Sequence, residues 1–194
     1  IERLISRVVV GKILPREMLQ IERALSVIDP IQRLCEESRS KPLIQMASML
    51  DSCEEIRDRI GREIMEEPAS HVSRGQVMAD GVFPELDELR GLAHSGKDYL
   101  AGLRQREIER TGIPSIKISY NQVFGYYLEV TNTHKDKVPD DWQRKQTLTN
   151  AERYITPELK EYEEKILSAE EKILALEEAL YGELVAAVAA YVQP

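Results

Sequence analysis

The segment from Gly91 to Asp98 has the residue pattern closest to a catalytic site, because two glycines five residues apart are followed by Lys97. In a phosphate-binding loop, such glycines let backbone N–H groups surround a nucleotide, and the residue after the lysine carries a hydroxyl that binds magnesium. Here that residue is Asp98, and the surrounding apolar residues have helical spacing. We therefore predict a helix interior with a small-residue helix contact or a local bend, not a nucleotide site.

Histidine, glutamate and cysteine side chains give weaker indications of catalysis. His71, His94 and His134 have no partners at the spacing of a metal site or a catalytic triad and are predicted to lie at the surface. The glutamate-rich stretches 161–164 and 170–171 are predicted to face solvent. The two cysteines are too few for a disulfide framework, which favours a reducing, cytoplasmic setting. The chain is predicted to be no enzyme and to hold no cofactor or metal.

Four polar side chains at predicted turns and edges of a β segment are candidates for binding phosphate: Asn121, Arg144, Lys145 and Asn150. Basic and amide groups at such positions are free to reach phosphate oxygens. Solvated turns are the alternative interpretation. The aromatic run Ser119–Tyr127 is explained better by core packing than by base stacking.

The charge distribution restricts any nucleic-acid contact to one part of the chain. The whole chain has net charge −8, whereas residues 113–155 contain six basic and five acidic residues. Phosphate binding needs a local concentration of Lys and Arg, so this segment is the candidate. Chance in a short, loop-rich window is the alternative.

Helical periodicity predicts most of the elements that position these residues. The composition, with 31% charged and only 6% aromatic residues, is typical of long helices. Three to five short helices are predicted up to about Glu67-Pro68, with Pro15 and Pro42 in first turns and Asp29-Pro30 as a cap and restart. Turn signals between residues 72 and 82 indicate a short β-hairpin.

Two long helices are predicted around a small β unit. One runs from Pro84 towards Arg110, and the other is capped by Thr156, begins at Pro157 and continues for about 36 residues, or roughly 54 Å. Between them the period changes, and strands are predicted at four places: Ser115–Tyr120, Val123–Thr131, Arg144–Leu148 and Arg153–Ile155. Because the chain runs out along one rod and back along the other, the β unit is expected at the far end of the pair. The chain opens at Ile1 inside a helical pattern, so we expect it to be a piece of a longer protein.

Two long blocks of sequence resemble the clamp region of bacterial MutS mismatch-repair proteins. They are GIPSIKISYNQVFGYYLEV at 112–130 and RKQTLTNAERYITPELKEYE at 144–163. Residues 1–7, 104–112 and 169–184 resemble the helical core and lever of the same family. The resemblance implies a mostly α fold, a helical lever domain whose long antiparallel helices carry a small inserted β clamp subdomain at the tip. It divides the chain into the first part of the core and lever (1–95), the clamp (96–157) and the returning lever helix (158–194).

The resemblance implies binding of duplex DNA through its backbone, without sequence specificity, in DNA mismatch repair. Carried over by motif, the contacts fall on Asn121, Lys145 and Asn150, and Arg144 joins them as a basic turn residue. Thr149 stands where many relatives have Lys or Arg. One positive charge fewer is therefore available to bind phosphate, and binding is expected to be weaker. The alternative is a coiled-coil scaffold whose β tip binds a protein partner.

The resemblance also implies properties of a longer protein. These are a homodimer with a second MutS subunit, MutL as a partner in the pathway, and a cytoplasmic, nucleoid-associated setting. ATP and magnesium are expected to be used by a domain outside this chain. The Phe-x-Glu element that wedges into mismatches is not found in this sequence, and no membrane partner is expected.

Overall fold

The structure, a computed structural model, describes residues 1–192. Its helices are α1 (Glu2–Val9), α2 (Pro15–Ser26), α3 (Ile28–Glu37), α4 (Lys41–Ala47), α5 (Glu54–Glu63), α6 (Pro84–Thr111) and α7 (Pro157–Val192). Its strands are β1 (Lys117–Asn121), β2 (Gly125–Thr131), β3 (Gln143–Thr147) and β4 (Ala151–Ile155), with short 3₁₀ segments at Val72–Arg74 and Asn132–Lys137. Helices hold more than half of the chain and the strands follow the first long helix, as predicted.

The chain divides into two compact units. The first contains residues 1–87 and the residues from 173 onward, and the second contains residues 88–172. Helices α6 and α7 contribute residues to both units. The three-part division at residues 95 and 157 stays a prediction, and the last two residues of its third part lie outside the described residues.

The first unit has a core made by helices α1, α2 and α5 together with residues of α6 and α7. Pro15 begins α2 and Pro42 lies in the first turn of α4, as predicted. The predicted cap at Asp29-Pro30 is wrong, because α3 begins at Ile28 and contains both residues. The Asp29 carboxylate instead accepts a hydrogen bond from Arg57 Nη1 at 2.7 Å, and this bond lowers the pKa of Asp29 below its ordinary value.

The predicted hairpin between residues 72 and 82 is also wrong. The segment begins with a 3₁₀ turn, and its extended part pairs with the end of α5 instead of with itself. Met65 N–H donates to Val77 O at 2.9 Å, and Ala79 N–H donates to Glu63 O at 2.8 Å. The backbone N–H of Val77 donates to the carboxylate of Glu177, which is fully buried. These partners satisfy the backbone, so no second strand is needed.

The second unit contains an antiparallel packing of α6 against α7. Three contacts define the pairing, in which residue numbers rise along one helix and fall along the other: Gly96 with Ile166, Tyr99 with Tyr162 and Arg106 with Glu158. The predicted cap of α7 is confirmed, because Leu159 N–H donates to Thr156 Oγ1 at 3.1 Å. The apolar seam predicted along α6 is buried at Ala93, Leu100 and Leu103.

The sheet of the second unit is antiparallel, with strand order β1-β2-β4-β3. One of its faces packs on the helices through Leu128, Val130 and Tyr154, in a core that also contains Trp142 and Leu103. Strands β1 and β3 are the two edges. All five residues of β3 are exposed. The side chains of this outer strand are therefore accessible to a ligand.

Candidate nucleic-acid interface

The segment Gly91–Asp98 lies inside α6, as predicted. Its backbone N–H groups belong to the helix and are not free to surround a phosphate. Gly96 serves helix packing, because a Cβ atom there would lie 2.5 Å from Ile166 Cγ1. Lys97 Nζ lies 2.7 Å from Glu170 Oε1, and this hydrogen bond raises the pKa of Lys97. The pattern that resembled a phosphate loop is thus part of a helix contact.

We expect this chain to bind no ATP measurably and to hydrolyse none. Glu170 already neutralises Lys97, and the carboxylate of Asp98 repels phosphate instead of supplying a magnesium ligand. Isothermal titration calorimetry with ATP and magnesium checks this expectation. Saturable binding that persists in a Lys172→Ala control and disappears in Lys97→Ala would contradict it.

The β3–β4 hairpin carries three of the four predicted phosphate-binding residues, Arg144, Lys145 and Asn150. Arg144 pairs with Tyr154 and Gln146 pairs with Arg153, so Lys145 is the additional residue of a β-bulge. The turn is closed by a hydrogen bond from Leu148 N–H to Ala151 O at 2.8 Å. Both Lys145 and Asn150 are exposed.

Arg144, on the same strand, is already bound to a carboxylate. Its Nη1 lies 3.2 Å from Glu152 Oε1, and Glu152 also accepts a hydrogen bond from the hydroxyl of Tyr154. The Tyr154 bond and the charge of Arg144 lower the pKa of Glu152, which is 8% exposed. Burial and the bond to Glu152 raise the pKa of Tyr154 to about 12. Arg144 therefore offers less free charge than Lys145.

The Glu152 network predicts a loss of stability in acid. A carboxylate whose pKa is lowered by folding stabilises the fold above its ordinary pKa, and this contribution disappears as the pH falls through the lowered value. As the pH falls below the ordinary glutamate pKa of 4.5, we expect the free energy of unfolding to decrease by about 1 kcal/mol more in the wild type than in Tyr154→Phe, which lacks the main cause of the shift. Urea unfolding at several pH values measures this difference. Equal acid sensitivity of the two proteins would contradict the assignment.

Asn121 is the last residue of β1, next to the β1–β2 turn and away from the other predicted residues. Its Oδ1 accepts a hydrogen bond from Val123 N–H at 2.7 Å, which shapes the turn. The same turn packs on α7, because Lys160 Nζ donates to Phe124 O at 2.7 Å and Tyr126 N–H donates to Glu163 Oε2 at 2.7 Å. Asn121 therefore has a structural partner, and its turn is held by a helix.

The strand register shows which predicted residues the fold brings together. Asn121 pairs with Gly125 at the start of β2, whereas Ala151, next to Asn150, pairs with Thr131 at the end of β2. The two turns are therefore at opposite ends of the sheet. Their strands, β1 and β3, are also its opposite edges. Arg144, Lys145 and Asn150 share one hairpin, and Asn121 is separated from them.

Lys145 is distinguished from most other cations of the second unit by having no carboxylate partner. Several lysine and arginine side chains of this unit lie within 4.0 Å of a carboxylate oxygen, among them Lys97, Arg106, Arg110, Arg144, Arg153, Lys160 and Lys165. Among the described residues, no such ion pair is formed by Lys145. An exposed, unpaired ammonium is available to a phosphate.

The aromatic run supplies little surface for stacking on bases. Tyr127 is buried, and the guanidinium of Arg153 lies 4.4 Å from its ring centroid. Tyr126 and Phe124 are half-buried, and only Tyr120 is substantially exposed among the four aromatics of the run. The expectation of core packing is confirmed for Tyr127, holds in part for the half-buried Tyr126 and Phe124, and is wrong for Tyr120.

Two buried glutamates of α7 were missed by the sequence analysis. Glu163, predicted to face solvent, is 8% exposed and lies against Gly125 and Tyr126, with Lys160 Nζ at 3.0 Å. Glu177 is fully buried and accepts the bond from Val77. Glu163 follows Tyr162 and Glu177 follows Leu176, two residues of α7 at helical spacing that pack against the cores, so each glutamate borders the packed face of the helix. That position is the signal for their burial that the sequence contains.

A metal-binding cluster and a membrane-spanning helix are both absent from residues 1–192. In residues 1–192, no group of three or more His, Cys, Asp or Glu side chains is arranged to hold a metal ion. None of the helices in this range has the length and apolar character needed to cross a membrane. Cys35 and Cys53 are free thiols.

Comparison with known proteins identifies relatives of this chain. Residues 81–172 match the family model of MutS family domain IV. The DNA mismatch repair protein MutS of Parabacteroides distasonis is 59% identical over the whole chain, that of Bacteroides fragilis is 57% identical over 99% of it, and that of Flavobacterium psychrophilum is 52% identical over all of it. The chain spans 22% of the length of each of these relatives. The chain therefore belongs to the bacterial MutS family of DNA mismatch-repair proteins, as a part of such a protein.

Proposed function

We propose that the second unit binds duplex DNA through its phosphate backbone, without reading the base sequence. The observation that carries this proposal is the exposure of edge strand β3 and of the β3–β4 turn, which carry the unpaired Lys145 and the amide of Asn150. An ammonium and an amide both donate to phosphate oxygens, and backbone contacts of this kind carry no sequence information. Membership of a DNA mismatch-repair family supports DNA as the ligand.

The individual contacts differ in what they contribute. Lys145 supplies a positive charge, and Asn150 supplies a neutral hydrogen-bond donor. Arg144 can bind phosphate only when its ion pair with Glu152 is broken. Asn121 is proposed to contact a separate stretch of backbone, because its turn lies at the other end of the sheet. The roles of all four residues remain proposals.

We further propose that α6 and α7 form the lever that links the sheet to the rest of a longer protein. Both helices contribute residues to both units, which supports this role. The chain itself is proposed to be non-catalytic. ATP hydrolysis with magnesium, mismatch recognition, pairing with a second subunit and the partnership with MutL are proposed for the whole protein, of which this chain is about a fifth.

Duplexes of unrelated sequence, with or without a mismatch, are expected to bind with similar and weak affinity. The net charge of −8 opposes binding, so the dissociation constant should be about 10⁻⁴ M at physiological salt, at the weak end of non-specific binding. Fluorescence anisotropy with labelled duplexes measures it. A marked preference for one sequence or for a mismatch would contradict backbone binding.

A protein-binding scaffold is the second candidate function. It is favoured by apolar side chains at the β1–β2 turn, where Val123 is 87% exposed and Tyr120 is 48% exposed. A partner bound through such apolar surface is held with little dependence on salt. Capture of a protein that persists at high salt, together with no binding of DNA, would favour the scaffold.

A further inference from the structure

A short basic segment, which the sequence analysis did not single out, lies beside the β3–β4 turn. It is the 3₁₀ segment Asn132–Lys137, which follows β2 directly. Its sequence contains His134, Lys135 and Lys137, and Asp136 is its one acidic residue. The segment thus adds positive charge at the end of the sheet where Asn150 lies.

Two hydrogen bonds from Asn132 hold the 3₁₀ segment against the turn. The backbone N–H of Asn132 donates to Asn150 O at 3.1 Å, and its side-chain Nδ2 donates to Thr149 O at 2.9 Å. Both the backbone and the side chain of one residue are therefore used for this contact. The 3₁₀ segment and the β3–β4 turn form one continuous surface.

The lysines of this segment are as available as Lys145. Lys135 and Lys137 are exposed, and neither forms an ion pair within 4.0 Å with any residue between 1 and 192. The charge of Lys135 is among the causes that lower the pKa of Glu152, which places Lys135 near the β3–β4 hairpin. Two exposed, unpaired lysines thus lie in the segment that Asn132 joins to the β3–β4 turn, and Lys145 lies on the strand that leads into the same turn.

We infer that the 3₁₀ segment Asn132–Lys137 is a second phosphate-binding element, in which Lys135 and Lys137 contact phosphates of duplex DNA next to the one bound by Lys145. This inference rests on the proposed function. The bond from Asn132 to the carbonyl of Thr149 places the start of this segment beside the uncharged position 149. The surface then neutralises three phosphates instead of one.

The number of phosphates predicts the salt dependence. Each neutralised phosphate of B-DNA changes the slope of log K against log salt by about −0.9. Three lysines give a slope of about −2.7, and Lys145 alone gives about −0.9. The slope from a salt titration of duplex binding by this chain therefore shows how many lysines contact phosphates.

The test compares two double variants of equal net charge. Lys135→Ala/Lys137→Ala removes the proposed contacts, and Lys12→Ala/Lys172→Ala removes two exposed lysines elsewhere. We expect the first variant to make the slope shallower by about 1.8 and to lose at least about tenfold in affinity at low salt, with the slope of the control unchanged. Lys135→Arg/Lys137→Arg should keep the wild-type slope, because it keeps both charges.

The outcomes separate this inference from the proposed function. If Lys145→Ala makes the slope shallower but Lys135→Ala/Lys137→Ala does not, the 3₁₀ segment is no contact and only the inference is overturned. If both double variants lower the affinity alike, the effect is one of net charge, which also overturns it. If neither Lys145→Ala nor the 135/137 variant changes the slope, the proposed function fails as well. A shallower slope confined to the 135/137 and 145 variants supports both.

Discussion

Gly125→Ala is expected to lower the free energy of unfolding by about 3 to 5 kcal/mol. Gly125 has φ +78°, a conformation that costs a residue with a Cβ about 1 to 2 kcal/mol. A Cβ atom there would also overlap both carboxylate oxygens of Glu163. Moving Glu163 breaks its hydrogen bond with Tyr126 N–H, and leaving a buried donor without a partner costs about 1 to 3 kcal/mol.

Gly112→Ala is the matched control for this variant. Gly112 has φ +65°, but a Cβ atom there would meet nothing within 4 Å, so only backbone strain is expected. Urea unfolding followed by the fluorescence of Trp142, the only tryptophan and a core residue of the same unit, measures both variants. In a Glu163→Ala background, the cost of Gly125→Ala should fall to that of Gly112→Ala. Equal costs of the two glycine variants in the wild-type background would contradict the role of Glu163.

Gly96→Val is expected to destabilise the second unit by about 3 kcal/mol. A Cβ atom at residue 96 would lie 2.5 Å from Cγ1 and 3.2 Å from Cδ1 of Ile166, whose side chain is 1% exposed. The helices must separate or Ile166 must leave its position, because a buried side chain has little free space around it. Separation would also disturb the stacked rings of Tyr99 and Tyr162.

Gly102→Val is the control for Gly96→Val, because it makes the same change in the same helix where a Cβ atom has nothing within 4 Å. Valine has a higher helix propensity than glycine, so the control is expected to be neutral or slightly stabilising. Combining Gly96→Val with Ile166→Ala should cost less than the sum of the single changes, since the alanine makes room. The same urea experiment measures all four variants. Additive costs would show that the two side chains do not compete for space.

The helices and the place of the sheet follow from local sequence. Apolar residues at helical spacing predict α6 and α7, and Thr156-Pro157 marks the start of α7 as observed. The change of period after residue 115 predicts the strands, because alternation along a strand is also a local property. Such patterns are visible without knowledge of any distant contact.

The errors come from contacts between residues far apart in the chain. The segment 72–82 contains turn signals, but its backbone pairs with the end of α5 and with Glu177, which local sequence does not reveal. In the same way, local sequence predicts that Glu163 belongs to an acidic, exposed helix surface, whereas in the fold it is buried against Gly125. Local sequence predicts that Asp29 caps a helix, whereas in the fold its carboxylate forms an ion pair with Arg57.

The sequence indicates the individual residues of the candidate site, but not their positions relative to one another in space. Turn positions identify Lys145 and Asn150 as accessible, and the family motif identifies Asn121. That Asn121 lies at the opposite end of the sheet depends on the strand order, which no local pattern contains. Asn132 and Lys135 were missed for the same reason, since their position beside Asn150 depends on the pairing of β2 with β4.

A salt titration of duplex binding by the wild type and single variants tests backbone binding by the β3–β4 hairpin most directly. Lys145 alone predicts a roughly three- to fourfold loss of affinity between about 50 and about 200 mM salt, and Lys145 together with Lys135 and Lys137 predicts a roughly fortyfold loss. Lys145→Ala should weaken binding to all duplexes alike and make the slope shallower by about 0.9. Asn150→Ala should weaken binding with little change in slope, because an amide releases no counterion. A slope near zero for the wild type, or a Lys145→Ala slope equal to that of the wild type, would contradict the proposed function.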